Sequence, residues 1–263
     1  MKIGVTQIIL GDMGLDETLG ICVEAGYEAV ELTFSASGKD LNIDMSADEL
    51  SGVVRRCSDA GVSIAAVLGH YAERGNLLSP DAHERQACCR CLARALEIGG
   101  ALGTDGVLLH PGQLTVDGSY SQAWDNIVGA LRDLSPIAAE HRVAIGVENV
   151  WNKFLLSPRE ARQLVDEIGS EWVGIYLDTA NMMAYGFPEH WIRELGARIK
   201  KVHFKDFVRR EGFVDLMDGD TDWPVVMAEL RAIGYDGTLI HEVGGDRSKQ
   251  IEMAERMRRI VAS

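Results

Sequence analysis

The sequence predicts a (β/α)8 barrel, with residues 1–263 forming one domain. Three observations predict it. The length is 263 residues, close to the roughly 250 residues of such a barrel. Short apolar runs alternate with helical patterns from one end to the other, about eight of each. No linker, low-complexity stretch or change of composition interrupts the alternation. Eight strand–helix units allow an open doubly wound sheet or a closed barrel. A nucleotide-binding open sheet needs G-x-G-x-x-G or a P-loop after an early strand. GDMG (11–14) fits neither, and the count of eight favours the barrel.

The elements follow in order. The strands read KIGVTQI (2–8), YEAVELTF (27–34), VSIAAVLGH (62–70), DGVLLH (105–110), RVAIGVEN (142–149), WVGIYLDT (172–179), RIKKVHFKD (198–206) and DGTLIHEV (236–243). Most are Val, Ile and Leu with little alternation, as parallel strands buried on both faces read. Between them, LDETLGICVEAG (15–26), SADELSGVVRRCSDAG (46–61) and PREARQLVDEIG (158–169) are helical and end at a glycine suited to a left-handed cap. Ser46 and Glu49 form a capping box, and Pro158, Pro188 and Pro224 sit where first-turn prolines belong. The longest helical stretch is 81–103 and carries three cysteines.

Composition narrows the function. The chain is 46% apolar and 25% charged, average for a globular protein. No apolar run reaches the ~18 residues that cross a bilayer, so no membrane partner is expected. MKIGVTQIIL lacks a signal-peptide cleavage site and reads directly as a strand, so a cytoplasmic location is expected. The net charge of −14 argues against nucleic acid, whose binders need a positive face. The five cysteines are odd in number, with three in CCRC; buried inert thiols fit better than disulfides or a metal site.

Catalytic residues of such barrels sit at the C-terminal ends of strands. Those ends carry Glu31, His70, His110, Glu148, Asp178, His203 and Glu242. Glu148, Asp178, His203 and Glu242 belong to strands five to eight in succession. Neighbouring strands lie about 4.8 Å apart, so four such ends can converge on one point. Three carboxylates and one imidazole suit one divalent cation, Mn2+ first, with Mg2+, Co2+, Fe2+ or Zn2+ also compatible. The competing reading is a set of ion pairs, Glu148 with Lys153 or Lys205, and a satisfied core histidine at 203.

The ordered set GVENVWNKF (146–154), YLDTANM (176–182), VHFKDF (202–207) and IHEVG (240–244) resembles the xylose isomerase-like superfamily of sugar and sugar-phosphate isomerases and epimerases. ENVWNKFLLSP, YGFPEHWIRELG and DGDTDWPVVMAELRAIGYDG are similar to its hexulose-6-phosphate isomerase or ribulose-5-phosphate 3-epimerase branch. The resemblance implies that the four residues bind the metal and that Glu148 and Glu242 are also acid and base on opposite faces of a small ketose or ketose phosphate. A cation at the carbonyl and hydroxyl oxygens favours loss of the weakly acidic α proton. Return of the proton to the opposite face gives an epimer, and return to the neighbouring carbon gives an isomer.

The expected substrate contacts are His70, His110, Asn149, Trp151, Asn181, Lys205 and Arg209. Trp151 would cover an apolar sugar face or be a packed loop aromatic. Asn149 would orient a ligand or be an ordinary turn residue. Lys205 would hold a hydroxyl or phosphate, or pair with Asp178 or Asp206. His70 and His110 would bind hydroxyls or be core imidazoles. Glu31 reads as a salt-bridge residue before a contact to the substrate's far end. Asn181 departs from the histidine usual in free-ketose 3-epimerases. A phosphate would draw on Lys153, Lys205, Arg209, Arg210 and the Gly244–Gly245 loop, unless GGDRS is a turn with Asp246 or Ser248 capping the last helix.

Two other classes share the barrel. One is an apurinic-site endonuclease with three zinc ions, which Asn181, the histidine-free stretch 212–223 and the net charge speak against. The other is a non-catalytic sugar-binding or subunit protein, which the intact ligand set speaks against. Barrels of this kind often form homodimers or homotetramers, but no apolar surface stripe stands out in the sequence.

Overall fold

Each of the eight apolar runs supplies one stave of a closed parallel barrel. The computed structural model describes residues 1–35, 38–69 and 75–263. The staves are β1 (Ile3–Thr6), β2 (Ala29–Phe34), β3 (Ser63–Gly69), β4 (Gly106–Leu109), β5 (Ala144–Glu148), β6 (Val173–Asp178), β7 (Ile199–Phe204) and β10 (Leu239–His241). They pair in sequence order, and β10 closes the ring on β1. The helices are α1 (Leu15–Ala25), α2 (Ala47–Asp59), α3 (Ala82–Leu102), α4 (Tyr120–His141), α5 (Pro158–Ile168), α6 (Pro188–Leu195), α7 (Trp223–Ala232) and α8 (Arg247–Ala262). The predicted fold class is the observed one.

The caps fall where local chemistry places them. Ser46 and Glu49 bond reciprocally at the start of α2. Gly26 and Gly169 take the left-handed conformation after α1 and α5. Pro158 and Pro188 open α5 and α6, and Pro224 is the second residue of α7. Asp246 caps α8, accepting from Lys249 N. The stretch at 81–103 is not the longest helix: α4 has 22 residues against 21 for α3. All five cysteines are free.

Side-chain alternation along the staves sorts residues between two cores. Val30, Leu32 and Phe34 of β2 join the large cluster between sheet and helices. Ala29 belongs to a smaller cluster in the lumen with Ala65, Leu68, Leu108, Tyr176 and Ile240. The residues that share the lumen face with these come two positions later: Glu31 after Ala29, His110 after Leu108, Asp178 after Tyr176, and Glu242 after Ile240. The period of two therefore puts the polar residues on top of an apolar plug.

The seventh run is shorter than its sequence implies. β7 ends at Phe204, and Asp206–Val208 forms β8, which pairs antiparallel with β9 (Gly212–Val214) outside the barrel. The fully buried Asp206 carboxylate pins the segment that follows. It accepts from Met217 N at 2.8 Å, Trp223 Nε1 at 3.0 Å and Thr221 Oγ1 at 2.6 Å. A buried carboxylate needs several such donors, and together they fix the hairpin at the barrel mouth.

Candidate functional site

Glu148 ends β5, Asp178 ends β6, His203 is the penultimate residue of β7, and Glu242 stands one residue past β10. Asp178 and His203 face each other in register. One ligand atom from each of the four side chains lies within 4.8 Å of the others. His203 Nδ1 is 3.0 Å from Glu242 Oε2 and 3.9 Å from Glu148 Oε1. The first of these is an opposite-charge contact. His203 Nδ1 and Asp178 Oδ2 are both buried atoms that make no hydrogen bond. Buried polar atoms are normally paired. Two of them turned into a cluster of carboxylates match a site built for a cation, and three oxygens with one nitrogen suit a divalent one.

Neighbouring residues hold this cluster in place. Asn149 grips the backbone of Asp178: its Oδ1 accepts from Asp178 N at 2.9 Å and its Nδ2 donates to Asp178 O at 3.0 Å. Asp178 Oδ1 accepts from Ala180 N and Asn181 N, which leaves Oδ2 facing the site. Asn181 Nδ2 donates to Asn149 O, and Trp151 Nε1 donates to Asn181 O. The loops after β5 and β6 are thus interlocked, and the Asn181 amide is engaged with backbone.

Lys205 supplies positive charge, with Nζ 2.9 Å from Glu242 Oε2 and 3.3 Å from Asp178 Oδ2. The opposite side of His203 meets Glu31, whose Oε1 is 2.9 Å from Nε2. Tyr176 OH donates to Glu31 Oε2. The Glu31 partner is therefore a histidine ring, and Tyr176 was not among the residues singled out by sequence. A count of two back from Asp178 was the available signal, since it puts Tyr176 on the lumen face.

The charges respond to burial and to one another. Burial, reinforced by the Glu242 carboxylate, pushes Glu148 up to about 8. Burial also works to raise Glu242, but the adjacent His203 ring and Lys205 ammonium outweigh it and hold that carboxyl well below the usual range. Burial works to lower His203 and Lys205, and the surrounding carboxylates outweigh it, so both are raised. One glutamate favours its acid form and the other its base form in the metal-free chain.

A cavity of about 560 Å³ opens above the four residues. Glu148, His203, Glu242, Lys205, His110, Trp151 and Asn181 all line it, as does Phe213 from β9. Trp151 and Phe213 are 53% and 50% exposed, with ring centroids 5.1 Å apart. They form an apolar wall at the rim. His110 Nδ1 accepts from Gly112 N at 3.1 Å. Asn149 is buried and acts on Asp178 rather than lining the cavity. Arg209 is not a lining residue: its guanidinium donates to Met183 O and Gly186 O and lies 4.3 Å over the Phe187 ring. Among the lining residues described, Lys205 is the one cation. His70 lies outside the described residues.

Comparison with known proteins agrees with this architecture. Residues 19–261 match the family model described as xylose isomerase-like TIM barrel. Over 192 residues, 73% of this chain and 66% of the relative, the sequence is 27% identical to 2-epi-5-epi-valiolone 7-phosphate 2-epimerase of Actinoplanes sp.. A crystal structure of a D-tagatose 3-epimerase-like protein superposes with a TM-score of 0.85 at 22% identity, covering 100% of this chain and 97% of that one. A crystal structure of the IOLI protein with a bound zinc atom superposes with a TM-score of 0.82 at 18% identity, covering 100% and 98%. No described helix is long and apolar enough to cross a membrane. The chain belongs to the xylose isomerase-like TIM barrel family.

Proposed function

We propose that this protein is a divalent-metal-dependent epimerase or isomerase of a small ketose, with Glu148, Asp178, His203 and Glu242 holding one ion. The observation that carries the reading is the convergence of those four ligand atoms within 4.8 Å, two of them buried and lacking a hydrogen bond. The epimerase relative and the zinc-bound neighbour support it. A bound divalent cation would polarise a carbonyl and stabilise the negative charge left by proton loss beside it.

The remaining chemistry falls to side chains. Glu242 is the carboxylate on one side of the site and removes the proton α to the carbonyl. Glu148, on the opposite side, delivers a proton to the other face. The roles exchange in the reverse direction. Trp151 and Phe213 cover the apolar face of the sugar and exclude water, and His110 meets a hydroxyl. Asn149 acts by holding Asp178.

An uncharged ketose suits this cavity better than a ketose phosphate. Lys205, the one described lining cation, is held by Asp178 and Glu242. Arg209 is turned onto Phe187. The α8 N-terminus, an anion-binding position in principle, already carries the Asp246 carboxylate. The decisive experiment incubates a panel of ketoses and ketose phosphates with the Mn2+-loaded protein in heavy water. Deuterium uptake in one of them identifies the substrate and the carbon; no uptake by any member rejects the reading.

A further inference from the structure

We infer that Glu31 and Tyr176 are a positioning pair that aims the His203 ring and strengthens its grip on the cation. The inference rests on the reading of Glu148, Asp178, His203 and Glu242 as ligands of one ion.

Glu31 is on β2 and His203 on β7, with β1 and β10 between them around the barrel. Their contact therefore crosses the lumen. Both side chains are fully buried. A carboxylate at that depth is costly unless every oxygen has a partner, and here each has one. Oε1 lies 2.9 Å from His203 Nε2, and Oε2 accepts from Tyr176 OH. The Tyr176 ring also meets the His203 ring edge-on, 4.6 Å between centroids. Room for Tyr176 comes from β5: a Cβ at Gly146 would fall 3.0 Å from Tyr176 Cβ and Cδ2. Residues of β2, β5 and β6 thus converge on the side of the ring that points away from the other three ligands.

The consequence is chemical. With Nε2 donating to Glu31, the lone pair for a metal sits on Nδ1, the atom that approaches Glu148 and Glu242. The carboxylate fixes which nitrogen is free and makes it a stronger donor. Tyr176 occupies the second oxygen and keeps the carboxylate in line with the ring. Neither residue lines the cavity, so neither is placed to touch a substrate.

The test is Mn2+ titration of the metal-stripped wild-type chain, Glu31→Gln and Tyr176→Phe, with the visible spectrum of each Co2+-loaded protein beside it. Glu31→Gln keeps the shape and one acceptor but loses the charge. It should bind Mn2+ 10- to 100-fold more weakly and shift the Co2+ bands. Tyr176→Phe should weaken binding at least threefold. A purely structural pair would lower the thermal midpoint but leave Kd and spectrum alone. Wild-type Kd and spectrum in a folded Glu31→Gln overturn the inference. If Glu31→Gln does not fold, Tyr176→Phe decides, and an unchanged Kd there overturns it. A wild-type chain that binds neither ion overturns the site reading and this inference together; a wild type that binds while the variants match it overturns the inference alone.

Discussion

Asp178 and His203 are register partners on β6 and β7, and each turns one buried atom lacking a hydrogen bond toward the same point. Each has an opposite-charge neighbour, Glu242 Oε2 for His203 Nδ1 and Lys205 Nζ for Asp178 Oδ2, and a bound divalent cation would give both a stronger partner. Removing the ion with a chelator should therefore abolish turnover. Mn2+ should raise the thermal midpoint of the wild type, as any ligand specific for the folded state does; saturation at 100 times Kd is worth about 2.7 kcal/mol. Asp178→Asn should lose that rise. Calorimetry with and without metal checks both.

Glu148→Gln and Glu242→Gln should each lower kcat by about 100-fold or more, the usual contribution of a positioned acid or base. Substrate deuteration separates the roles. The variant that retains one base can still exchange the proton of one epimer without producing the other. A rate above about one hundredth of wild type in either variant would remove that residue from the proton-transfer role.

Asn149→Ala deletes both hydrogen bonds to the Asp178 backbone and leaves two buried groups unpaired. The expected loss of stability is roughly 2–4 kcal/mol, read as a shift in denaturant midpoint. Metal affinity should fall as well, because Asp178 loses its fixed position.

Burial pushes the Cys22 thiol up to about 12 and Cys57 to about 11. A thiol raised in this way stays protonated, and hence unreactive, until the pH approaches that value. At pH 8 the native chain should label with iodoacetamide at the half-buried Cys91 and more slowly at the half-buried Cys89, whose thiol burial also pushes up, and not at the three buried cysteines. Mass spectrometry of native and unfolded samples would count two against five.

A matched pair of one ketose with and without its terminal phosphate tests the uncharged-substrate reading. The free sugar should show kcat/KM at least equal to that of its phosphate. A tenfold preference for the phosphate, about 1.4 kcal/mol, would point to a phosphate site.

Much of this molecule was decided by neighbours in sequence. Apolar runs, left-handed glycines, first-turn prolines and the Ser46–Glu49 box act within a few residues, so the barrel and its helices were legible without coordinates. So was the candidate ligand set, because a charged residue that ends a buried strand is costly enough to need a reason, and four successive strands share one rim. What the tertiary structure alone decided are contacts that exist once the ring closes. Glu31 meets His203 across 172 residues of chain, and Tyr176 meets Glu31 across 145. Arg209 follows a strand end, as Lys205 does, yet points to Phe187 because the β8–β9 hairpin diverts the chain. Phe213 reaches the cavity for the same reason. Local propensity determines where a strand ends and which face a side chain takes; which partner it meets across the lumen depends on the closure and register of all eight staves together.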